Sequence, residues 1–245
     1  MLLKGKVAVI TGGTRGLGRQ IAAAFLAEGS QVVIAGRDPA PARELLDEYG
    51  DAVAFQETDV RRVDSVAELM AQAVSRFGGL DIVVANAGIS NPGQAAAIDP
   101  RKWSETLDTN VNGVFHCTHA AVPHLVQRGG GKIINLSSAL ATRITPGASA
   151  YCASKAAVEM FTRVTAVELA PQGITANCLS PGLIDEGMGK ALAANEPVWA
   201  RYKPKLAMGR LGRPDEVVGA ALFLAGPDSS YVNGHVLEVN GGLQW

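Results

Sequence analysis

The chain has 245 residues, of which 47% are hydrophobic and 18% charged, and its 22 basic and 23 acidic side chains nearly cancel. The low charged fraction argues against intrinsic disorder. The near-zero net charge lacks the excess of positive charge with which nucleic-acid-binding proteins hold phosphates. Three cysteines, Cys117, Cys152 and Cys178, are too few for a disulfide framework in a chain of this length. Neither a targeting segment nor an apolar run of the roughly 18 residues that span a bilayer is found. We therefore expect a cytoplasmic protein without nucleic-acid or membrane partners.

Short β-branched runs alternate with longer helical patterns along the chain. Strands are predicted at 6–11, 31–36, 52–56, 81–86, 132–137, 174–179 and 235–239, and helices at 17–28, 63–77, 103–126, 150–170 and 214–225. The strands are almost continuously apolar, which is typical of a parallel sheet covered on both faces. The alternation predicts a single α/β domain over residues 1–245, a doubly wound parallel seven-stranded sheet with helices on both faces. Ligands of such sheets bind beyond the carboxyl ends of the strands.

A glycine-rich loop, TGGTRGLG at Thr11–Gly18, joins the first strand to the first helix. Gly12, Gly16 and Gly18 allow the backbone to approach a pyrophosphate, whose charge the N-terminus of the following helix favours. The loop therefore predicts dinucleotide binding, and the alternative is an ordinary glycine-rich turn. A P-loop is excluded because no Gly-Lys-Ser/Thr closes the segment.

The end of the second strand bears on which dinucleotide is bound. In NAD-binding folds an acidic residue there bonds the ribose 2′-hydroxyl, whereas an arginine accommodates the 2′-phosphate of NADP. Here the strand ends at Gly36, Arg37 follows directly, and Arg15 lies in the glycine loop. These residues predict a preference for NADP(H), with NAD(H) possible because Asp38 is placed to bond a ribose hydroxyl. The alternative is that Arg37 and Asp38 only solvate a loop.

Three further side chains form a candidate catalytic group. Tyr151 and Lys155 are four residues apart on a predicted helix and so share one face, and Ser138 follows the fifth strand, thirteen residues before Tyr151. Taken singly, Tyr151 and Lys155 are better explained as a surface pair, and Ser138 as a helix cap or turn residue.

The motifs together, however, resemble one known family. They are TGGTRGLG, ANAG at Ala85–Gly88, Asn110, Ser138, Tyr151-x-x-x-Lys155, Pro181-Gly182 and the closing NGG at Asn240–Gly242. In their order and spacing the chain resembles the short-chain dehydrogenase/reductase family, in its short single-domain branch. In general appearance it is similar to the 3-oxoacyl-[acyl-carrier-protein] reductases and to the sugar or polyol dehydrogenases of that family.

The resemblance implies a Rossmann fold and an NAD(P)-dependent oxidoreductase that interconverts a ketone or aldehyde and an alcohol by hydride transfer. Tyr151 would be the general acid/base, and Lys155 would lower the pKa of Tyr151, which is ordinarily about 10, and bind the nicotinamide ribose. Ser138 would orient the substrate oxygen, and Asn110 would support a proton relay through water to Lys155. The implied cofactor-binding residues are Gly12, Thr14, Arg15, Gly16, Leu17, Gly18, Arg37, Asp59, Val60, Asn86, Ala87, Gly88, Tyr151, Lys155, Pro181, Gly182 and Ile184. No metal is expected.

Asn86 has a second interpretation, as a residue that ties the central strands together. One position departs from the family pattern: Glu186 stands where the family usually places a cofactor-binding threonine, so we expect its carboxylate to turn away from the pyrophosphate or to face substrate. The substrate, a small carbonyl or alcohol, is expected to meet the segment 185–205, either a mobile lid or a plain helical hairpin.

The resemblance also implies an oligomeric state, and two alternative functions have to be weighed against it. We expect a homotetramer that packs through the helices at 103–126 and 150–170, with the closing Leu243-Gln244-Trp245 against a neighbour. The rival hypotheses are a dinucleotide sensor without turnover, which would lose the tyrosine or lysine, and a nucleotide-sugar epimerase, which would carry a larger C-terminal segment.

Overall fold

Seven parallel strands form one sheet in a computed structural model that describes residues 1–244. The strands are β1 (Val7–Thr11), β2 (Gln31–Gly36), β3 (Val53–Glu57), β4 (Ile82–Ala85), β5 (Gly131–Leu136), β6 (Ile174–Pro181) and β7 (Val236–Val239). They lie in the order β3-β2-β1-β4-β5-β6-β7, and every neighbouring pair is parallel. The predicted seven-stranded doubly wound sheet is confirmed.

Nine α-helices connect these strands within the described residues. They are α1 (Gly16–Ala27), α2 (Arg43–Tyr49), α3 (Val63–Phe77), α4 (Pro100–Leu107), α5 (Gly113–Gln127), α6 (Ser149–Leu169), α7 (Gly187–Ala193), α8 (Glu196–Tyr202) and α9 (Pro214–Ala225). Helices α1, α2 and α9 cover one face of the sheet, and α3, α5 and α6 cover the other. No helix in residues 1–244 is both long and apolar enough to cross a bilayer.

Alternate residues of each strand supply the two apolar cores. In β1, Ala8 and Ile10 pack with α1 and α9, while Val7 and Val9 pack with α3 and α5. A strand in this sheet is covered on both sides, so it has no solvent-facing side on which alternate residues could be polar. This explains the continuous apolar runs of the sequence. The layered packing holds the strand ends in fixed positions, from which the loops of the site project.

The helix predicted at 103–126 is interrupted. A π-helical segment, Asp108–Asn112, separates α4 from α5, and the Gly113 N–H bonds the Asp108 carbonyl, five residues back. Apolar spacing does not reveal one extra residue in a turn, so the sequence predicts one unbroken helix. Helix α2 was not predicted, and α7 and α8 were expected only under the alternative that 185–205 is a plain helical hairpin. Trp245, expected to pack against a neighbouring subunit, lies outside the described residues, whereas Leu243 is buried in this chain against Ala139 and Leu206.

Candidate active site

The site lies where the strand order reverses, between β1 and β4. To one side of β1 the chain continues to β2 and β3, and to the other side β4 leads to β5, β6 and β7. The loops that follow β1 and β4 therefore part from each other and leave a crevice at the carboxyl ends of the strands, which is where open α/β sheets bind their ligands.

The glycine loop after β1 has the conformation that its glycines permit. Gly12 and Gly16 have φ values of 63° and 57°, a region that residues with a side chain rarely adopt. A Cβ atom on Gly12 would lie 2.9 Å from Asn86 Nδ2, whereas one on Gly16 would meet nothing within 4 Å. On its inner side the loop is thus packed against Asn86 and Ala87, which follow β4, and at Gly16 it faces open space.

Asn86 holds the two loops together. Its Nδ2 donates to the carbonyls of Thr11 (2.9 Å) and Gly12 (3.2 Å), and the Thr11 hydroxyl accepts from the backbone N–H groups of Asn86 (3.0 Å) and Ala87 (3.1 Å). Asn86 therefore acts as a tie between the strands, and its contact with a dinucleotide stays a prediction. Thr11, the last residue of β1, was not singled out in the sequence, although its place directly before the glycine loop was available as a signal.

The start of α1 fits a pyrophosphate. The helix begins at Gly16, no side chain caps its N-terminus, and its first turn holds no acidic residue. Unpaired N–H groups and the positive end of the helix dipole favour an anion at this position. The open space at Gly16 and the exposed Arg15 beside it leave room for one. The residues present therefore fit a dinucleotide.

Packing explains why no acidic residue stands at the end of β2. Thr14 is buried above Gly36, where a Cβ atom would lie only 3.0 Å from Thr14 Oγ1. Asp38, the alternative partner for a ribose hydroxyl, accepts a hydrogen bond from the Ala40 N–H (2.9 Å) and so caps the next turn. Arg37 and Arg15 are both exposed, and neither forms an ion pair within residues 1–244.

The predicted adenine-binding residues, Asp59 and Val60, follow β3, and Asp59 lines a cleft there together with Arg37. Asp59 binds Arg61 through Oδ2 and Nη2 (2.6 Å), and this hydrogen bond lowers the pKa of the Asp59 carboxyl. Val60 is buried, and its carbonyl accepts from His116 Nδ1 at 2.8 Å. These contacts fix the loop that would face an adenine.

Ser138, Tyr151 and Lys155 come together between β5 and the first turns of α6. The Ser138 side chain lies close enough to the Tyr151 phenol to lower the pKa of that phenol by hydrogen bonding. Lys155 Nζ donates to the Leu136 carbonyl at 2.6 Å and lies 5.7 Å from the centroid of the Tyr151 ring. Tyr151 and Lys155 are 9% and 4% exposed, so the interpretation of a surface pair is excluded.

Burial shifts the two titratable groups in opposite senses. It raises the pKa of the Tyr151 phenol, which the hydrogen bond from Ser138 lowers in part. It also lowers the pKa of Lys155 to about 8. Both shifts favour the neutral form of the buried group. The protein without ligand therefore keeps Tyr151 protonated, the form that gives a proton to a carbonyl oxygen.

Comparisons with known proteins agree with this geometry. A family model described as enoyl-(acyl carrier protein) reductase matches residues 12–244. The chain is 36% identical to a 3-oxoacyl-[acyl-carrier-protein] reductase of Chlamydia muridarum, over 99% of this chain and 98% of the relative. A short-chain type dehydrogenase/reductase of Mycobacterium marinum has a TM-score of 0.92 and 37% identity, with 98% of this chain and 96% of that chain covered. The chain belongs to the short-chain dehydrogenase/reductase family.

A third relative has a different description. An Agrobacterium tumefaciens structure, provisionally described as a gluconate dehydrogenase, has a TM-score of 0.92 and 33% identity, with 98% of this chain and 96% of that chain covered. Membership makes the chain an oxidoreductase that uses a nicotinamide dinucleotide.

Asn110, which is predicted to support a proton relay, is fully buried in the π-helical segment. Its Oδ1 accepts from the Ile89 N–H (2.8 Å), and its Nδ2 donates to the Ile89 carbonyl (2.9 Å) and to Ser154 Oγ (3.0 Å). A Cβ atom on Gly88 would lie 3.3 Å from Asn110 Oδ1 and 3.6 Å from Lys155 Nζ. The side chain of Asn110 thus ties the loop after β4 to α6, and the water relay stays a prediction.

The far side of the crevice follows β6. Gly182 approaches β7 so closely that a Cβ atom would lie 2.7 Å from the Asn240 Cα, and its N–H donates to the Val239 carbonyl at 2.9 Å. Ile184 is buried and pairs with Gly212. Glu186 accepts from the Gly187 N–H (3.2 Å) and caps α7, so this carboxylate has a structural partner where the family usually has a threonine.

The segment 185–205 contains α7, α8 and a short 3₁₀ turn, as the helical-hairpin alternative expects. The Tyr202 hydroxyl donates to Thr145 Oγ1 at 3.1 Å, which joins α8 to the loop between Ser138 and Tyr151. This contact places the hairpin beside the catalytic loop, and its movement as a lid stays a prediction.

Replacing Gly18 by alanine is expected to damage the dinucleotide crevice. A Cβ atom there would overlap Asn86 Nδ2 and the Gly12 carbonyl, so the tie between the loops would have to move. We expect Gly18→Ala to lose about 1–3 kcal/mol of unfolding free energy, as overpacked sites do, and to weaken dinucleotide binding. Denaturant unfolding and a fluorescence titration with NADPH measure the two effects.

Gly219 in α9 is the matched control, because a Cβ atom there would meet nothing within 4 Å. Alanine is the better helix former, so Gly219→Ala should gain up to about 1 kcal/mol and bind NADPH normally. Equal effects of the two substitutions would contradict the packing assigned to Gly18.

In the protein without ligand, the buried Lys155 is expected to lower the free energy of unfolding. Its pKa is about 8 in the folded chain and about 10.4 in the unfolded chain, so below pH 8 the folded state carries a charge that burial disfavours. Lys155→Met should raise the unfolding free energy by about 1–3 kcal/mol at pH 7. This advantage of Lys155→Met in unfolding free energy should shrink as pH rises from about 8 to about 10.4. In that range the parent protein loses the Lys155 ammonium proton on folding, so its own stability rises with pH.

Urea unfolding of both proteins across this pH range tests the prediction, with the exposed Lys102→Met as control. A Lys155→Met gain that is absent, or that grows with pH, would contradict it.

Proposed function

We propose that the protein is an NADP(H)-dependent reductase of a ketone or aldehyde, with Tyr151 as the general acid and, in the reverse direction, the general base. The observation that carries this proposal is the buried contact of Tyr151 with Ser138 on one side and Lys155 on the other. A phenol that burial keeps protonated is suited to donate a proton to an oxygen on which negative charge develops.

Each side chain has one task in this proposal. The Ser138 hydroxyl, already at the phenol, would hold the substrate oxygen within reach of Tyr151. Lys155, fixed by the Leu136 carbonyl, brings a positive charge to the ring of Tyr151 and so favours phenolate when the reaction runs toward the carbonyl. When bound, the dinucleotide supplies or accepts the hydride. Asn110 would hold the water that returns a proton to Lys155.

Preference for NADP(H) is supported by charge at the end of β2. Arg37 and Arg15 are exposed cations without an ion-pair partner in residues 1–244, and a guanidinium matches the oxygens of a 2′-phosphate. Thr14 fills the position from which an acid would bond a ribose hydroxyl, and Asp38 already caps a turn. NAD(H) remains the alternative cofactor.

The substrate class is proposed from the relatives. The Chlamydia relative is named for a 3-oxoacyl thioester of an acyl carrier protein, so a 3-oxoacyl thioester is the first candidate. A sugar or polyol is the second, since the Agrobacterium structure is provisionally described as a gluconate dehydrogenase. A cytoplasmic location is proposed as well, consistent with three cysteines that form no disulfide.

Tyr151→Phe is expected to lower kcat for carbonyl reduction by about 100-fold to 10,000-fold, because the proton donor is removed while the ring remains. Binding of the dinucleotide should change little. The assay uses NADPH and NADH with a panel of an acetoacetyl thioester, a keto sugar and simple ketones, and the reverse reaction with the corresponding alcohols.

Tyr231→Phe is the control, since the Tyr231 side chain is fully exposed and far from α6 in sequence. Turnover by Tyr151→Phe equal to that of the control would overturn the assignment of the general acid.

Arg37→Ala is expected to reduce the affinity for NADPH by about 10-fold to 100-fold, the effect of losing a charged hydrogen bond, and to leave NADH affinity within about twofold. Arg101→Ala, at a side chain that is 92% exposed, is the control. Equal losses for NADPH and NADH would argue against a 2′-phosphate contact.

The homotetramer is proposed through α5 and α6. Their outer faces expose apolar side chains that a monomer would leave in water: Phe115 is 45% exposed, Met160 59%, Val164 49% and Val167 76%. Contiguous exposed apolar residues of this kind mark association surfaces.

Sedimentation velocity at micromolar concentration is expected to give a tetramer, and Val164→Glu to shift it toward smaller species because a charge would be buried. Val63→Glu, at a 52% exposed position of α3, should leave the tetramer intact. A monomer at every concentration would refute the assembly.

A further inference from the structure

A buried carboxylate lies one helical turn beyond Lys155, on the same face of α6. Glu159 is only 4% exposed, and the proposed chemistry does not use it. Its cationic partner, Arg163, is 3.7 Å away and half exposed. A buried carboxylate costs free energy, and a loose pair with an exposed arginine returns little of it, so folding stability does not account for the residue.

The strongest contact of Glu159 is with Ser137. Ser137 Oγ lies 2.8 Å from Glu159 Oε1 and 3.4 Å from the Lys155 carbonyl. A hydroxyl has one proton to donate, and the shorter distance to a charged acceptor assigns that proton to Glu159. Without the carboxylate, the hydroxyl would turn to the carbonyl of Lys155.

Ser137 stands between two residues that touch the catalytic pair. The carbonyl of Leu136 accepts from Lys155 Nζ, and the side chain of Ser138 lies close enough to the Tyr151 phenol to lower its pKa. The backbone N–H of Ser137 donates to the Leu179 carbonyl of β6 at 2.8 Å. Ser137 is therefore anchored to the sheet by its backbone and to α6 by its side chain.

We propose that Glu159 is a positioning residue for the reaction. Through Ser137 it fixes the end of β5 to α6, so that the Leu136 carbonyl stays on Lys155 and the Ser138 hydroxyl stays on Tyr151. Active-site groups must be held to within about 0.5 Å, and a segment leaving its sheet needs a second anchor to meet that limit. The inference rests on the catalytic roles proposed above.

Three substitutions separate the geometry from the charge. Glu159→Leu removes the acceptor, Ser137→Ala removes the donor, and Glu159→Gln keeps an acceptor oxygen while it removes the charge. Glu168→Leu is the matched control, because Glu168 is exposed on the same helix. For each variant we would measure kcat per dinucleotide-binding site, KM for the carbonyl substrate, Kd for NADPH and the unfolding midpoint.

We expect Glu159→Leu and Ser137→Ala each to lower kcat by about 10-fold to 100-fold, the cost of misplacing reacting groups by a fraction of an ångström to an ångström. The double variant should lose no more than the worse single variant. Kd for NADPH should stay within about twofold, and Glu159→Gln and Glu168→Leu should keep kcat within about threefold of the parent. The unfolding midpoint of Glu159→Leu should not fall, because the half-exposed Arg163 stays hydrated without its partner and the Ser137 hydroxyl turns to the Lys155 carbonyl.

The proposal is overturned if Glu159→Leu keeps the parental kcat, if Glu159→Gln is as impaired as Glu159→Leu, or if only the unfolding midpoint moves. If Glu159→Leu does not fold, Ser137→Ala decides, and undiminished kcat in that variant overturns the proposal. Failure of the catalytic assignment itself is recognised separately, because Tyr151→Phe would then turn over normally.

Discussion

The buried ammonium of Lys155 is the constraint on which the site depends. A lysine that is 4% exposed loses most of its hydration, and its pKa falls to about 8. It therefore needs a backbone acceptor at its tip, which the Leu136 carbonyl provides at 2.6 Å. This one hydrogen bond joins the end of β5 to α6 and sets Tyr151 and Ser138 beside each other. The site gives up folding stability to hold a positive charge beside the Tyr151 ring.

The sheet supplies the second half of the site by its strand order. Because the order reverses at β1 and β4, the glycine loop and the loop after β4 part there, and Asn86 with Thr11 keeps them at a fixed separation. The same loop carries Gly88, whose missing side chain leaves space beside Lys155 and Asn110. The dinucleotide crevice and the proposed catalytic group are thus built on one frame, and α7 and α8, which are expected to meet the substrate, are attached to it through Tyr202 and Thr145.

Much of the fold could be predicted from the sequence, because strands covered on both faces have apolar runs that turns interrupt. The spacing of Tyr151 and Lys155 was likewise readable, since four residues make one helical turn. The π-helical segment was not readable, as its apolar spacing continues that of the helix. Thr11, Ser154 and Glu159 were missed for another reason: each acts on a residue far away in the chain, and only the strand order shows which residues meet. Gly36 was interpreted as the absence of the acidic residue that NAD-binding folds place at the end of the second strand. The structure adds that Thr14 occupies the space that a side chain on Gly36 would enter.

In the proposed mechanism, burial keeps the Tyr151 phenol protonated until the positive charges of the loaded site lower its pKa. Carbon-13 labelled tyrosine, followed by NMR through a pH titration, measures this directly, and Tyr151→Phe identifies the resonance among the four tyrosines of the chain. We predict that Tyr151 titrates above the ordinary value of about 10 in the protein without ligand and below it with NADP⁺ bound. Titration of Tyr151 at the ordinary value in both states would show that neither burial nor the bound cofactor controls its protonation.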